Sequence, residues 1–326
     1  MVLLRGLLKI LVSFSLTWFA LAGPRASRLV SFVAFDIAQF FPSLNHSMLT
    51  AILRHSGFAD CLVDFFSDYL VGRSTQYTWN SFFSHACDAD IGVGQGSALS
   101  PILSVLYIAL LLHLFEHRAQ VLNLDTSTLS YVDNGLLVSQ GRMYDKTLPE
   151  LTSSYSIVSD LMASFGLVIE HDKSEIFHFS RVYTNSNPEL DLSAIGASIL
   201  KPKTYWQYLG FYFDQQLSFK EYVWFYSTKA LTTVKAMGML GNSTRGLLPL
   251  QKQLLYQSCV VPIATYGFRL WYFSGAPTKA QVSLLATMQH KAALWILGTF
   301  RTSPTGEIEA LADLIPIHLH LKKLAK

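Results

Sequence analysis

The chain has 326 residues, 51% of them hydrophobic and 14% charged, with a formal net charge of +3. That length and apolar content suffice for one large core or two modest ones and exclude a disordered tail. Three cysteines, Cys61, Cys87 and Cys259, are odd in number and far apart, which excludes a disulfide framework or a zinc spacing and favours a reducing compartment.

The mean charge hides a division. Residues 1–199 carry 11 Lys+Arg against 17 Asp+Glu, hence −6, and residues 200–326 carry 14 against 5, hence +9. An acidic half joined to a basic half suits an enzyme acting on a polyanion, although unequal solvated faces give the same numbers.

In chain order, residues 1–22 place Arg5 and Lys9 before an apolar run that closes on Ala20-Leu21-Ala22. This is the layout of a secretory signal, a marginal anchor or an amphipathic lead-in. Residues 28–41, RLVSFVAFDIAQFF, are apolar, β-branched or aromatic enough to predict a buried strand, closed by Pro42. Asp36 sits inside it. Burying an unpaired carboxylate costs several kcal/mol, so such a residue calls for a cation, a donor set or a metal opposite it.

Asn45 is expected to cap a helix ending near Gly57, and a second helix is expected over residues 59–70. Residues 75–91 alternate aromatic and polar, predicting a strand pair. A glycine-rich loop, GVGQGSALSPIL over residues 92–103, then feeds a helix with Ser100 as its cap and Pro101 at its first turn. Its glycines have the wrong spacing for a dinucleotide-binding turn. Residues 129–139, LSYVDNGLLVS, read as two strands joined at Asn134-Gly135, with Asp133 at the tip. Asp36 and Asp133 are expected to meet on adjacent strands and hold divalent metal. The last third reads as helices at residues 219–240, 250–261, 279–297 and beyond Gly306, with lysines for phosphate contact.

These residues carry a resemblance. Phe35-Asp36-Ile37-Ala38-Gln39-Phe40-Phe41, then residues 92–103, then Tyr131-Val132-Asp133-Asn134 resemble, in order, the first three palm motifs of reverse transcriptases of the non-LTR retrotransposon type. Gly166-Leu167 with His171-Asp172-Lys173-Ser174, Tyr208-Leu209-Gly210, and the tail from Phe300 are similar to later segments of the same family. The resemblance implies an α+β fold: a palm over residues 28–215, with helices on one face of an antiparallel sheet, then an α-helical thumb-like region over residues 216–326. Residues 1–27 would be an apolar lead-in. About 35 residues precede Asp36, so the basic fingers are expected to be largely missing and the domain N-terminally truncated.

It further implies an RNA-directed DNA polymerase that adds deoxynucleotides, drawn from deoxynucleoside triphosphates, to a DNA primer on an RNA template by two-metal phosphoryl transfer. Asp36, Asp133 and Asn134 would stand at the catalytic positions, with Asp36 and Asp133 holding two Mg²⁺ ions, or Mn²⁺ in their place. Ile37, Phe41, Gln95, Gly96 and Lys173 would meet nucleotide and template, with Phe41 under the sugar. Tyr208, Leu209 and Gly210 would grip the primer. The chain departs from the family at Asn134, where a second aspartate is usual, and at Gly94 and Ala98, where prolines are usual. The first change removes one negative charge and predicts weakened activity; the others predict a looser loop. A catalytically inactive nucleic-acid-binding remnant is the alternative, and a membrane-associated protein resting on residues 1–22 is a third. Nucleic-acid chemistry with unpaired cysteines favours an intracellular location, nucleus or cytoplasm.

Overall fold

The computed structural model describes residues 29–180, 187–208, 210–241, 245–272 and 279–325. The lead-in at residues 1–27, Arg28 and Leu209 therefore lie outside the described residues. The chain separates into two compact units, residues 27–203 and residues 204–326.

The first unit is built on a four-stranded antiparallel sheet. Its strands β1 (Leu29–Asp36), β6 (Thr126–Tyr131), β7 (Asn134–Gly141) and β8 (Glu175–Phe179) lie in the order β6-β7-β1-β8. Between β1 and β6 come two small ribbons, β2 (Ser74–Thr75) with β5 (Cys87–Asp88) and β3 (Thr78–Trp79) with β4 (Phe82–Phe83). They divide the strand pair expected over 75–91 into an outer and an inner rung. β1 is central in that order, hydrogen-bonded to β7 along one edge and to β8 along the other.

Alternation along β1 sends Val33 and Phe35 to one face of the sheet, where they join Leu137 and Ile176. The helices Ser100–Val121 and Tyr144–Ser164 cover that face, contributing Leu103, Tyr107, Leu111 and Phe115 from one and Leu151, Tyr155 and Val158 from the other. Helix Ser100–Val121 is long and apolar enough to cross a membrane by composition. Its residues 103, 107, 111 and 115 recur at helical spacing and are buried in this core, which accounts for the apolar run.

Several boundaries follow the expected chemistry. The Asn45 side chain accepts the Met48 amide at 2.9 Å at the start of helix His46–His55, and Gly57 follows it at φ 78°. Others are corrected. The strand ends at Asp36 rather than running to Phe41, and Pro42 lies within a helical turn, Phe40–Ser43. Ser100 is the first helical residue and not the cap; its hydroxyl turns back to donate to the Gly94 carbonyl at 2.7 Å.

The second unit opens with a hairpin of β9 (Tyr205–Tyr208) and β10 (Phe211–Asp214), followed by helices Lys220–Met237, Pro249–Leu255, Lys279–Leu297, Thr305–Leu311 and Ile317–Leu324. The helix expected over residues 250–261 does not stop at Pro262. A π-helical turn at Tyr256–Val260 absorbs the missing amide, and Pro262 then sits in the first turn of Val261–Ala264. The Lys252 ammonium is buried there, near the Trp295 carbonyl in the last turn of helix Lys279–Leu297 and 5.5 Å from the Trp295 ring centre. A cation at a helix C-terminus complements its dipole.

In the first unit, His178 on β8 is fully buried. One ring nitrogen lies 2.8 Å from the Ser31 hydroxyl and the other 3.1 Å from the Pro188 carbonyl. A neutral ring satisfies both, donating to Pro188 and accepting from Ser31. Burial pushes its pKa down to about 4. A folded-state pKa below the unfolded value near 6.5 means that the unfolded chain takes up the proton first, so stability falls as pH drops from about 6.5 toward 4. The expected loss is of order 3 kcal/mol, and His178→Gln should flatten that limb in urea titrations run across the pH range. An unchanged pH dependence in that variant removes His178 as its source.

Candidate active site

The strand pairing brings the two singled-out carboxylates to one end of the sheet. In the β1–β7 register Asp36 stands opposite Asn134, and Asp133 immediately precedes Asn134. The Ile37 amide donates to the Asp133 carbonyl at 2.9 Å, tying the end of β1 to the turn. Phe35 faces the helices, so Asp36 projects from the opposite face, where its side chain is 26% exposed.

The turn differs from the expected one. Tyr131 pairs with Asn134, so the central residues are Val132 and Asp133, and Asn134 and Gly135 belong to β7. Val132 takes φ 58°, a left-handed conformation that a β-branched residue rarely adopts. Gly135 serves packing instead of turning. A Cβ there would lie 2.1 Å from Cζ of Phe35, so only glycine lets β7 pass over that ring.

Each carboxylate has a partner. The Asn134 amide donates to Oδ1 of Asp133 at 2.8 Å, and the Lys173 ammonium lies 3.1 Å from Oδ2 of Asp36. Lys173 also pairs with Glu170, whose own amide donates to the Asp36 carbonyl at 2.9 Å. The Glu170 hydrogen bond, and then that of Asp36, hold the lysine above its ordinary pKa. Lys173 is thus placed beside Asp36 by a three-residue 3₁₀ turn, His171–Lys173.

The glycine-rich loop is strapped to the segment after β1. The Gly92 amide donates to the Leu44 carbonyl and the Val93 amide to the Phe41 carbonyl, each at 2.8 Å, while a His46 ring nitrogen lies 2.7 Å from the Gly92 carbonyl. The Tyr69 and Ser97 hydroxyls are 2.7 Å apart. Arg73 lies over the Tyr69 ring, and a Cβ on residue 94 would come within 2.8 Å of its guanidinium. Gly94 therefore makes room for Arg73. These contacts hold the loop in place although Gly94 and Ala98 stand where the family's prolines are usual. Phe41 is half-buried against the core and 5.6 Å from Phe40, Ile37 is buried, and Gln95 and Gly96 stand exposed on the loop.

Tyr208 and Gly210 lie in the second unit. Tyr208 is buried, and Gly210, at φ 81°, offers its carbonyl to the Tyr226 hydroxyl at 2.7 Å. Leu209 is outside the described residues.

Sequence reasoning missed Glu170, Tyr155 and Val132. Glu170 carried a signal in its spacing, three residues before Lys173. Tyr155 sits in an ordinary helical stretch and carried none.

Hard oxygen donors from Asp36, Asp133 and the Asn134 amide suit a divalent ion of the Mg²⁺ type. In kind the donor set fits; in charge it is one carboxylate short. Among the described residues no three His, Cys, Asp or Glu side chains gather closely enough to hold a metal ion.

Residues 19–213 match the family described as reverse transcriptase (RNA-dependent DNA polymerase), and the chain belongs to that family. Enzymes of this class use divalent metal ions. Over 140 residues it is 29% identical to the Retrovirus-related Pol polyprotein from type-2 retrotransposable element R2DM of Drosophila melanogaster, covering 42% of this chain and 13% of that protein. The domain is thus of the non-LTR retrotransposon kind, and the chain spans about an eighth of that relative's length. Among solved structures, apo telomerase from Candida tropicalis aligns over 94% of this chain and 47% of its own, at 11% identity and a TM-score of 0.47. Candida albicans telomerase in complex with a fragment of telomeric RNA aligns over 95% and 53%, at 12% identity and a TM-score of 0.45.

Proposed function

We propose that the chain is an RNA-directed DNA polymerase domain that extends a DNA primer on an RNA template with deoxynucleoside triphosphates, weakened by Asn134. One observation carries this reading: the register that sets Asp36 opposite Asn134, with Asp133 tied to Ile37 across the turn. When bound, two Mg²⁺ ions would stabilise the attacking and leaving oxygens of an in-line displacement. Asp36 and Asp133 would hold them through carboxylate oxygens. Asn134 contributes a neutral oxygen and, through its amide, keeps Asp133 in place. Phe41, fixed by the Val93 bond, would sit under the sugar and exclude a 2′-hydroxyl, while Gln95 and Gly96 face base pair and template. Lys173 would meet the triphosphate by leaving Asp36. Tyr208 and Gly210 would grip the primer. The cysteines are all exposed and free, which fits a reducing interior, nucleus or cytoplasm.

Primer extension on an RNA template tests the reading. Asn134→Asp should raise the Mg²⁺-dependent rate by about tenfold, equivalent to about 1.4 kcal/mol. In chelator the same variant should melt earlier, because two adjacent carboxylates repel, and Mg²⁺ should restore its melting temperature.

A second reading has support in the Lys173–Asp36 pair and in Asn134, which together lower the site's negative charge. It keeps the fold as a nucleic-acid-binding remnant. Salt-sensitive binding of an RNA–DNA hybrid with no extension, even in Asn134→Asp, would select it.

A further inference from the structure

We infer that Tyr155 is a positioning residue that holds Lys173 at the nucleotide-addition site. The inference rests on the reading of Lys173 as a site residue. A three-residue 3₁₀ turn is weakly self-sustaining, with poor hydrogen-bond geometry and little burial of its own. Lys173 is the last residue of such a turn and its side chain is 58% exposed, yet it points back to Asp36.

The turn's own bonds do not account for this. They are the Lys173 amide to the Glu170 carbonyl and the Ser174 amide to the His171 carbonyl, both at 3.0 Å. What flanks them is one hydroxyl. Tyr155, fully buried on helix Tyr144–Ser164, places its phenol oxygen 2.8 Å from Nδ1 of His171 and 2.9 Å from the Ser174 hydroxyl. It thereby grips the residue at the start of the turn and the residue just after it, with Lys173 between. Burial raises the Tyr155 pKa, so the phenol stays protonated and able to donate.

The same ring packs edge-on against Phe35, at 6.2 Å between centroids, and Phe35 immediately precedes Asp36. Tyr155 thus touches the supports of both partners in the Lys173–Asp36 pair. An ordinary core tyrosine needs one hydrogen-bond partner for its hydroxyl. This one has two, at the two ends of a turn that carries a site cation.

Tyr155→Phe keeps the ring and removes the grip. Hydrogen exchange read by peptide mass spectrometry should speed at residues 171–174 by at least tenfold, with β1 and β7 unchanged. In primer extension, kcat should fall by about tenfold, as in Lys173→Ala, while KM for the primer–template stays within twofold. The double variant should be no slower than Lys173→Ala alone. Exchange that rises uniformly over the first unit, or losses that multiply in the double variant, would mean that Tyr155 only fills the core, and the inference falls. If no extension is seen in any variant, the polymerase reading fails by itself. The exchange measurement still decides whether Tyr155 holds the turn.

Discussion

Asp36→Ala should reduce Mg²⁺-dependent primer extension by about 10³-fold or more while leaving the fold intact. A metal-held carboxylate at a phosphoryl-transfer site supports several kcal/mol of transition-state charge stabilisation, and each 1.36 kcal/mol is a factor of ten in rate. The cost to stability is small for a structural reason. Asp36 ends β1, where backbone pairing to Asn134 and the Glu170 bond to its carbonyl do not involve the side chain. Its ion pair with Lys173 is largely exposed and screened by solvent, so losing it costs little. A circular-dichroism melt within a few degrees of the parent, together with lost extension, is the expected pair of results. Undiminished extension would remove Asp36 from the site and the polymerase reading with it.

Gly135→Ala should damage both stability and activity. The added methyl would fall 2.1 and 2.2 Å from two atoms of the Phe35 ring. That ring cannot easily retreat, because the Tyr155 ring packs against it. Overpacking of this kind costs about 1–3 kcal/mol. The strain lies between β1 and β7 next to the Asp36–Asn134 pair, so it also moves the carboxylates apart. A shift of about 1 Å at reacting groups can cost about 10²-fold in rate. Chemical denaturation and extension assays would read the two effects separately. Shrinking the ring in Gly135→Ala/Phe35→Leu should return most of the stability; failure of that rescue would place the damage elsewhere than at Phe35.

The way Gly135 was misjudged from sequence shows where such reading stops. Asn-Gly between apolar runs is the strongest local signal for a two-residue hairpin, and it predicted the hairpin itself. The turn nevertheless falls one dipeptide earlier, because β7 must cross the Phe35 ring where only glycine fits, a requirement set by a strand a hundred residues away. Asp36 was legible because a charge in an apolar strand is locally anomalous. The α+β class was legible through the resemblance carried by residues 35–41, 92–103 and 131–134. Asn45 was legible as a cap because capping is settled within three residues. Tyr155 was not, since its contacts with His171 and Ser174 depend on a helix laid beneath the sheet. Pro262 misled for a related reason: a π turn before it supplies geometry that no local rule anticipates.

Val132 has a consequence of its own. Holding a β-branched residue in the left-handed region stores about 1–2 kcal/mol in the backbone next to Asp133. Glycine at that position would release the stored energy and give a sturdier but slacker tip. The valine thus sets a trade between endurance and aim, in which some robustness is given up to hold the backbone before Asp133 in one conformation.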